Sequence, residues 1–412
     1  MDTHRTLHRL IAAALALSSL LLAPSPAQGD EPAKPAPAAA TGTATADDEL
    51  PPEDEGAGAA TEAAPKKSSS AGSVSDEVTT DKSDSTPDNP RAGGFSNHLA
   101  ASFNLGEKWA IDAGFDYSST DGTPPATGSA FGDNGGKATS FSFGADWDPN
   151  DHLSLGASLG FSPKASTLSV TNLTVTAGAV DTSYDARLRA DNSAAVAGLT
   201  ASWDTAGDSD LEWTFSGAVT GSHLDTTQVV TALAGQNGKV ITKQALIAYC
   251  NGGPNRCKKS LRQALKEQQY SLDSAELGAS VMATVFTDTD LRVGADIWAY
   301  NQDPNDVGFF SITGGKSGGV SGGGGVPIAP MRGDVKVEVT HRFGNFSARA
   351  AFSGGSYVAG TGGGTYGGGL RFQYKFNKSF RLWLALSARH DVDATGLDSV
   401  SRSGSLGAGL RF

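Results

Sequence analysis

The chain ends Ser403-Gly404-Ser405-Leu406-Gly407-Ala408-Gly409-Leu410-Arg411-Phe412. Every second residue, Gly404, Leu406, Ala408, Leu410 and Phe412, is apolar, and the intervening Ser403, Ser405, Gly407, Gly409 and Arg411 are small or charged. A period of two marks a β-strand whose faces meet different surroundings, because successive side chains point to opposite sides of a sheet. One such strand would also suit a soluble β-sandwich, so repetition has to separate the two cases.

The pattern recurs along the chain. Trp109, Ile111, Ala113, Phe115 and Tyr117 share a face opposite Asp112, Gly114 and Asp116, and Leu153, Leu155, Ala157, Leu159 and Phe161 oppose Ser154, Gly156, Ser158 and Gly160. Similar alternation runs over 275–285, 291–299, 335–343, 346–352, 366–376 and 380–388. The segments are roughly 9 to 12 residues long, which suits a tilted strand crossing a bilayer. Connections alternate between short (106–108, 148–151, 204–210, 287–290, 344–345, 377–378) and long (121–137, 162–193, 222–271, 301–330, 354–364, 390–401). Aromatic residues crowd the short turns: Trp109, Trp147, Trp203, Trp213, Phe286, Phe343, Phe346, Phe376, Phe380 and Phe412. Amphipathic rings favour a membrane interface, so these positions predict one girdle at the short-turn end. A soluble sandwich has no reason to gather its aromatics at one end of nearly every hairpin.

The pattern over residues 95–412 resembles Gram-negative outer-membrane β-barrel proteins, porin-like in general pattern and pointing to no particular member. That resemblance implies an all-β transmembrane antiparallel barrel with long external loops, in the outer membrane, against lipid and lipopolysaccharide. It also implies that Phe412 is the signal recognised by the barrel-assembly machinery. Thirteen segments are legible, whereas single-chain bacterial barrels normally have even numbers. A weak strand near Ser73 to Thr80 would give fourteen, a segment outside the wall would give twelve, and a third possibility is that residues 28–93 thread the lumen before the first strand.

His4, Arg5 and Arg9 precede an apolar run from Leu10 to Ala23 and a small-x-small site at Ser25-Pro26-Ala27. This predicts a secretory signal peptide over residues 1–27. Residues 28–93, rich in Pro, Ala, Ser, Thr and acids, predict a disordered segment ahead of a barrel at 94–412. This stretch carries 14 acidic and 5 basic residues of a chain whose net charge is −12, so most of the acidity lies outside the expected barrel. The negative charge argues against nucleic acid as a partner. No apolar run after the first 25 positions is long enough for a spanning helix.

On the polar phase, charge divides along the chain. Asp112, Asp116, Asp146, Glu212 and Glu276 lie on earlier strands; Arg292, Lys336, Arg342, Arg349, Arg371, Lys375, Arg381, Arg389 and Arg411 lie on later ones, with Asp296 and Glu338 as exceptions. Opposed walls of unlike charge would set a transverse field across a pore and attract anions. The candidate pore-lining set is Arg342, Arg349, Arg371, Lys375, Arg381, Arg389, Asp112, Asp116 and Glu212. Alternatively these charges pair into a network that fills the interior.

The longest connection, 222–271, contains Cys250 and Cys257 between helix-like stretches at 241–249 and 258–269. Two cysteines in an exported chain predict a disulfide, since a zinc site would need further ligands and only His223 lies nearby. The loop is basic through Lys239, Lys243, Arg256, Lys258, Lys259, Arg262 and Lys266, which suits lipopolysaccharide phosphates or another anionic ligand, or a plug folded inward. His223 with Asp225, and His390 with Asp391 and Asp393, are acid–base combinations at the expected outer rim, but no nucleophile motif accompanies them, so an enzyme is not expected. The glycine runs at 321–325 and 362–364 lack a phosphate loop's Lys and strand-to-helix setting. Arg332-Gly333-Asp334 is a chance-level tripeptide match. No metal or cofactor is implied. The leading function is a narrow channel for small polar or anionic solutes; the rival is a plugged structural barrel whose external loops bind a partner.

Overall fold

In the computed structural model, residues 72–85, 92–123, 131, 134–177, 180–205, 211–235, 238–252, 259–285, 288–304, 307–313, 318–323, 331–358, 363–392 and 398–411 are described. Strands run β1 (Gly72–Ser85), β2 (Ala92–Leu105), β3 (Trp109–Thr123), β4 (Asn134–Asn150), β5 (Leu153–Ala177), β6 (Val180–Asp204), β7 (Leu211–Ala234) and β8 (Val240–Thr242). Helices α1 (Lys243–Asn251) and α2 (Lys259–Ala264) follow. Then come β9 (Gln268–Val285), β10 (Thr289–Tyr300), β11 (Phe309–Thr313), β12 (Gly318–Gly323), β13 (Met331–Phe343), β14 (Phe346–Tyr357), β15 (Gly364–Lys375), β16 (Phe380–Val392) and β17 (Asp398–Arg411).

Fourteen of these strands close an antiparallel barrel: β1 to β7, then β9, β10 and β13 to β17, with β17 returning to β1. Closure removes every exposed sheet edge, which a bilayer requires because hydrocarbon satisfies no backbone N–H or C=O. No helix among the described residues is long and apolar enough to cross a membrane. At one short turn Gly344 takes φ 63°, a left-handed conformation that a hairpin of this length demands and that other residues adopt at a cost.

The period-two phase sorts the surfaces. On the outer face Leu406, Leu199 and Leu277 are 62%, 65% and 53% exposed, whereas inner-face Thr79, Trp383 and Arg371 are 2%, 4% and 3% exposed. Large exposed apolar side chains on every wall are what a lipid-facing band presents. Near the short turns aromatics meet across strands: Trp109 stacks on Trp147 at 5.8 Å, Trp203 on Phe215 at 6.2 Å, and Phe346 on Phe372 at 6.1 Å. Phe286 and Phe412 lie outside the described residues, as does the signal-peptide stretch 1–27.

Two sequence expectations change. The segment 28–93 does not stay wholly outside the wall: the weak strand allowed for near Ser73 to Thr80 is present as β1, which pairs with both β17 and β2 and brings the wall to fourteen strands, so the barrel begins at Gly72 and not at residue 94. The strand is faint in the sequence because its outer phase carries Asp76 and Thr80 beside Val74 and Val78. The stretches 162–193 and 222–271 are not simple loops either. β5 and β6 are 25 residues each and β7 is 24, so all three continue well past a bilayer's span. The β5–β6 register shifts between Ser162 and Ala165, and this bulge breaks the alternation that a strict period-two reading follows.

Candidate functional site

Register alone decides which side chains meet inside the barrel, since residues directly opposite on neighbouring strands share a face. Arg349 and Arg371 stand opposite each other on β14 and β15. Two adjacent guanidinium groups repel unless each has a carboxylate. Glu338 on β13 pairs with Arg349, and Glu77 on β1 lies 3.7 Å from Arg371. Glu77 also accepts a hydrogen bond from Trp383 Nε1, and the Arg371 guanidinium lies over the Trp383 ring at 4.9 Å. Gly407 makes this possible: a Cβ there would sit 2.2 Å from the indole, so only glycine lets the ring cross β17 toward β1.

Three further basic residues are also matched. Arg342 bonds Asp290, which accepts from Thr284 Oγ1 at 2.9 Å. Lys336 lies 3.2 Å from Asp296 and 3.4 Å from Asp334. Arg389 donates to Asp391 at 2.9 Å and to Thr365 at 2.8 Å, and Tyr357 donates to Asp391 at 2.6 Å. Lys375 and Arg381 face each other at the short-turn end, with Arg381 5.7 Å from the Trp383 ring, and Arg411 lies nearby on β17. On the other wall His98 Nδ1 donates to Asp116, which also accepts from Ser140 at 3.0 Å. Asp112 is buried on β3, close to Asp146 on β4, and Glu212 is an exposed inner-phase residue of β7.

The acidic strands β3 and β4 do stand roughly across the ring from β14 and β15. The basic wall, however, carries its own carboxylates, so the transverse field expected from the sequence is largely cancelled where it arises. Sequence reasoning missed Glu77, Asp290, Asp334 and Asp391 as partners. Glu77 lay in a segment read as disordered except for a possible weak strand near Ser73 to Thr80, and its partners, like those of the others, are assigned only once the register is known. The tripeptide Arg332-Gly333-Asp334 is no surface motif, because Asp334 is buried on the inner face.

Beyond the membrane band the inner face changes character. Leu173, Ala186, Leu188, Val230 and Leu233 from β5 to β7 form a core with Leu246 and Cys250 of α1, Ala264 of α2, Leu265, and Ile312 of β11. The α1 helix begins where Thr242 caps Ala245 N at 3.3 Å, and it turns Leu246 and Cys250, four apart, onto one buried face. Arg262 donates to Cys250 O at 2.8 Å, tying the two helices together. Just below, Leu224, Leu272 and Val307 pack with Tyr270 and Tyr300. Burial pushes the Tyr270 phenol up to about 12, keeping it neutral. These groups form a cap over the β5–β9 side of the external mouth. No described cysteine is free, and Cys257 lies outside the described residues.

At the outer rim His223 Nδ1 donates to Asp273 at 2.6 Å and Nε2 to Asp225 at 3.2 Å, so both ring nitrogens are held as donors and the imidazole pKa is raised. His390 packs on Tyr366 at 4.7 Å on the outer phase, away from inward Asp391; Asp393 lies outside the described residues. Among the described residues no three His, Cys, Asp or Glu side chains converge as metal ligands.

No protein-family model and no curated protein matches the chain. Among solved structures it is similar to the CymD monoaromatic hydrocarbon channel, with TM-score 0.52 and 12% identity over 83% of this chain and 89% of that one. It is similar to a FadL homologue of Pseudomonas aeruginosa, with TM-score 0.51 and 13% identity over 83% and 89%. A third is the TodX deltaS2S3 mutant monoaromatic hydrocarbon channel, with TM-score 0.50 and 14% identity over 83% and 90%. These likenesses establish the fold, a closed β-barrel of the kind that outer-membrane channels have.

Proposed function

We propose that the chain is an outer-membrane channel for small solutes, with its mouth partly covered by its own cap. The observation that carries this reading is a fourteen-stranded wall whose inner phase is polar along the membrane band. Interiors of about eight strands are just filled by side chains, whereas about 16 to 18 strands enclose water. Because Arg342, Arg349, Arg371 and Arg389 are paired, we assign small polar solutes with only a mild anion preference. Lys375, exposed at the short-turn end, would provide that preference, offset by the exposed Glu212. The similar hydrocarbon channels make apolar solutes the competing class. Single-channel conductance of the refolded chain tests the reading: steps that reverse at a potential slightly favouring anions are expected, weakening as salt rises. Electrical silence combined with uptake of a monoaromatic hydrocarbon into liposomes would replace polar by apolar solutes.

The cap favours a second reading, a plugged barrel that binds a partner through its outer surface. Lys243, Lys259 and Lys266 decorate it and suit anionic saccharide phosphates. Silence toward both ions and hydrocarbons would leave this reading. We also propose that Cys250 and Cys257 are bonded, closing the connection between α1 and α2, and that Phe412 serves as the assembly signal. Normal insertion of a chain lacking Phe412 would contradict the latter.

A further inference from the structure

The outer phase is apolar on most walls, but not at β1 and β2. There Asp76 is exposed on the outer face, and Asn97 Nδ2 donates to its Oδ1 at 2.7 Å. The register fixes their depth. Asn97 stands opposite Val78, Val78 opposite Leu406, and Leu406 opposite Leu384; Asp76 stands opposite Leu99, and Leu99 opposite Phe115. The pair therefore sits inside the lipid-facing band, well above the aromatic girdle, among leucines and phenylalanines. A carboxylate accepts through two oxygens, and a carboxamide offers two N–H groups and an oxygen. Asn97 Nδ2 has only one further contact, a long one to Glu77 O at 3.5 Å, so a weakly held N–H and the remaining carboxylate and carboxamide oxygens face hydrocarbon that cannot satisfy them, and polar groups exposed to lipid are costly for that reason.

We propose that the outer face of β1 and β2 is the interface through which this chain associates with a second copy of itself. A twofold interface presents the same patch from both sides, so the patch must complement itself. A neighbouring donor and acceptor meet that condition, because Asn97 of each copy can donate to Asp76 of the other. The surrounding outer-phase side chains Val78, Thr80, Gly404 and Ala408 are small and permit close approach of the two walls. Association removes the polar pair from lipid and satisfies its remaining groups.

The test uses full-length chain in native outer membranes, with Val78→Cys oxidised by copper phenanthroline and resolved without reductant. A product of twice the monomer mass is expected. Leu277→Cys, on β9 and directly across the ring, serves as the control and should yield little product. Adding Asp76→Val and Asn97→Leu should lower the dimer yield about tenfold, as loss of interhelical-type polar contacts in lipid does, while heat-modifiable barrel remains. Should the double replacement fail to fold, sedimentation of the wild-type chain in mild detergent decides, with a dimer expected. A crosslink no stronger than the control, one that survives the double replacement, a product of another mass, or a wild-type monomer in sedimentation would each overturn the proposal.

Discussion

β13 to β17 and β5 to β7 are written in the same alternating code and end as different structures. The first group, 12 to 14 residues per strand, stops near the membrane surface and holds its inner charges in pairs. The second continues outward, and on it the two phases exchange roles. On the lower part of β7 the outer phase shows Phe215 and Val219, and the inner phase shows Thr214, Ser216 and Thr220. Past His223 the outer phase becomes His223, Asp225 and Thr227, and the inner phase gains buried Leu224 and Val230. β6 does the same, from outer Leu199 and Trp203 to outer Arg189 and Asp191, which pair at 2.6 Å, over buried inner Leu188. The hydrophobic phase follows whichever side is dry: lipid within the bilayer, the cap above it.

The largest effect is expected on the short-strand side. Removing Glu77 leaves the Arg371 guanidinium buried without its carboxylate, so Glu77→Ala should destabilise the barrel by about 3 to 5 kcal/mol in urea unfolding. Adding Arg371→Leu should recover much of that loss. An equal cost in the double replacement would show that the strand-to-strand pairing of β1, not the ion pair, is what matters. Gly407→Ala should mimic the loss by displacing the Trp383 ring.

On the long-strand side the damage should stay local. Leu188→Ala opens a cavity in the cap core, and such changes cost about 2 to 5 kcal/mol. The extension of β5 to β7 should become protease-sensitive while heat-modifiable barrel is retained, and Cys250→Ser should expose the same region less severely. Loss of the whole barrel with Leu188→Ala would mean that cap and wall fold as one unit. Within the membrane band, Leu384→Arg should cost about 2 to 4 kcal/mol on refolding, and Ser387→Arg on the inner phase far less. Equal tolerance would erase the distinction between the faces.

The fold was legible because alternation, turn length and aromatic placement are local signals. The pairs inside were not, because they depend on register and on closure. Arg371 and Glu77 are far apart in sequence and adjacent only when β1 is inserted between β17 and β2. The outward continuation of β5 and β6 was hidden for a different reason: Pro163 and Lys164 at the bulge shift the phase, so a strand that goes on looks like one that stops. The helices of the cap were visible at 241–249 and 258–269, yet nothing local said that they would pack on the inner phase.

The smallest effect concerns the point where the phases exchange. Hydrogen bonds to Asp273 and Asp225 raise the His223 pKa above its ordinary value of 6.5. A raised folded-state pKa stabilises below the unfolded value, and that contribution fades as pH climbs through the folded one. His223 is exposed, so the effect on stability is slight and screened by salt. Its imidazole resonances should still titrate above 6.5, and Asp273→Asn should bring the midpoint down; an unchanged midpoint would place the carboxylates too far away to matter.

The exchange of phases itself is read most directly by single cysteines placed along β7 from residue 213 to 230 in native outer membranes, probed with a membrane-impermeant maleimide added from both sides of opened cells. Labelling is expected at inner positions 216, 218, 220 and 222 from a water-filled interior, protection at 215, 217, 219 and 221 facing lipid, and reversal beyond, with 223, 225 and 227 labelled and 224, 226, 228 and 230 protected under the cap. A single phase of labelling from 213 to 230 would contradict it.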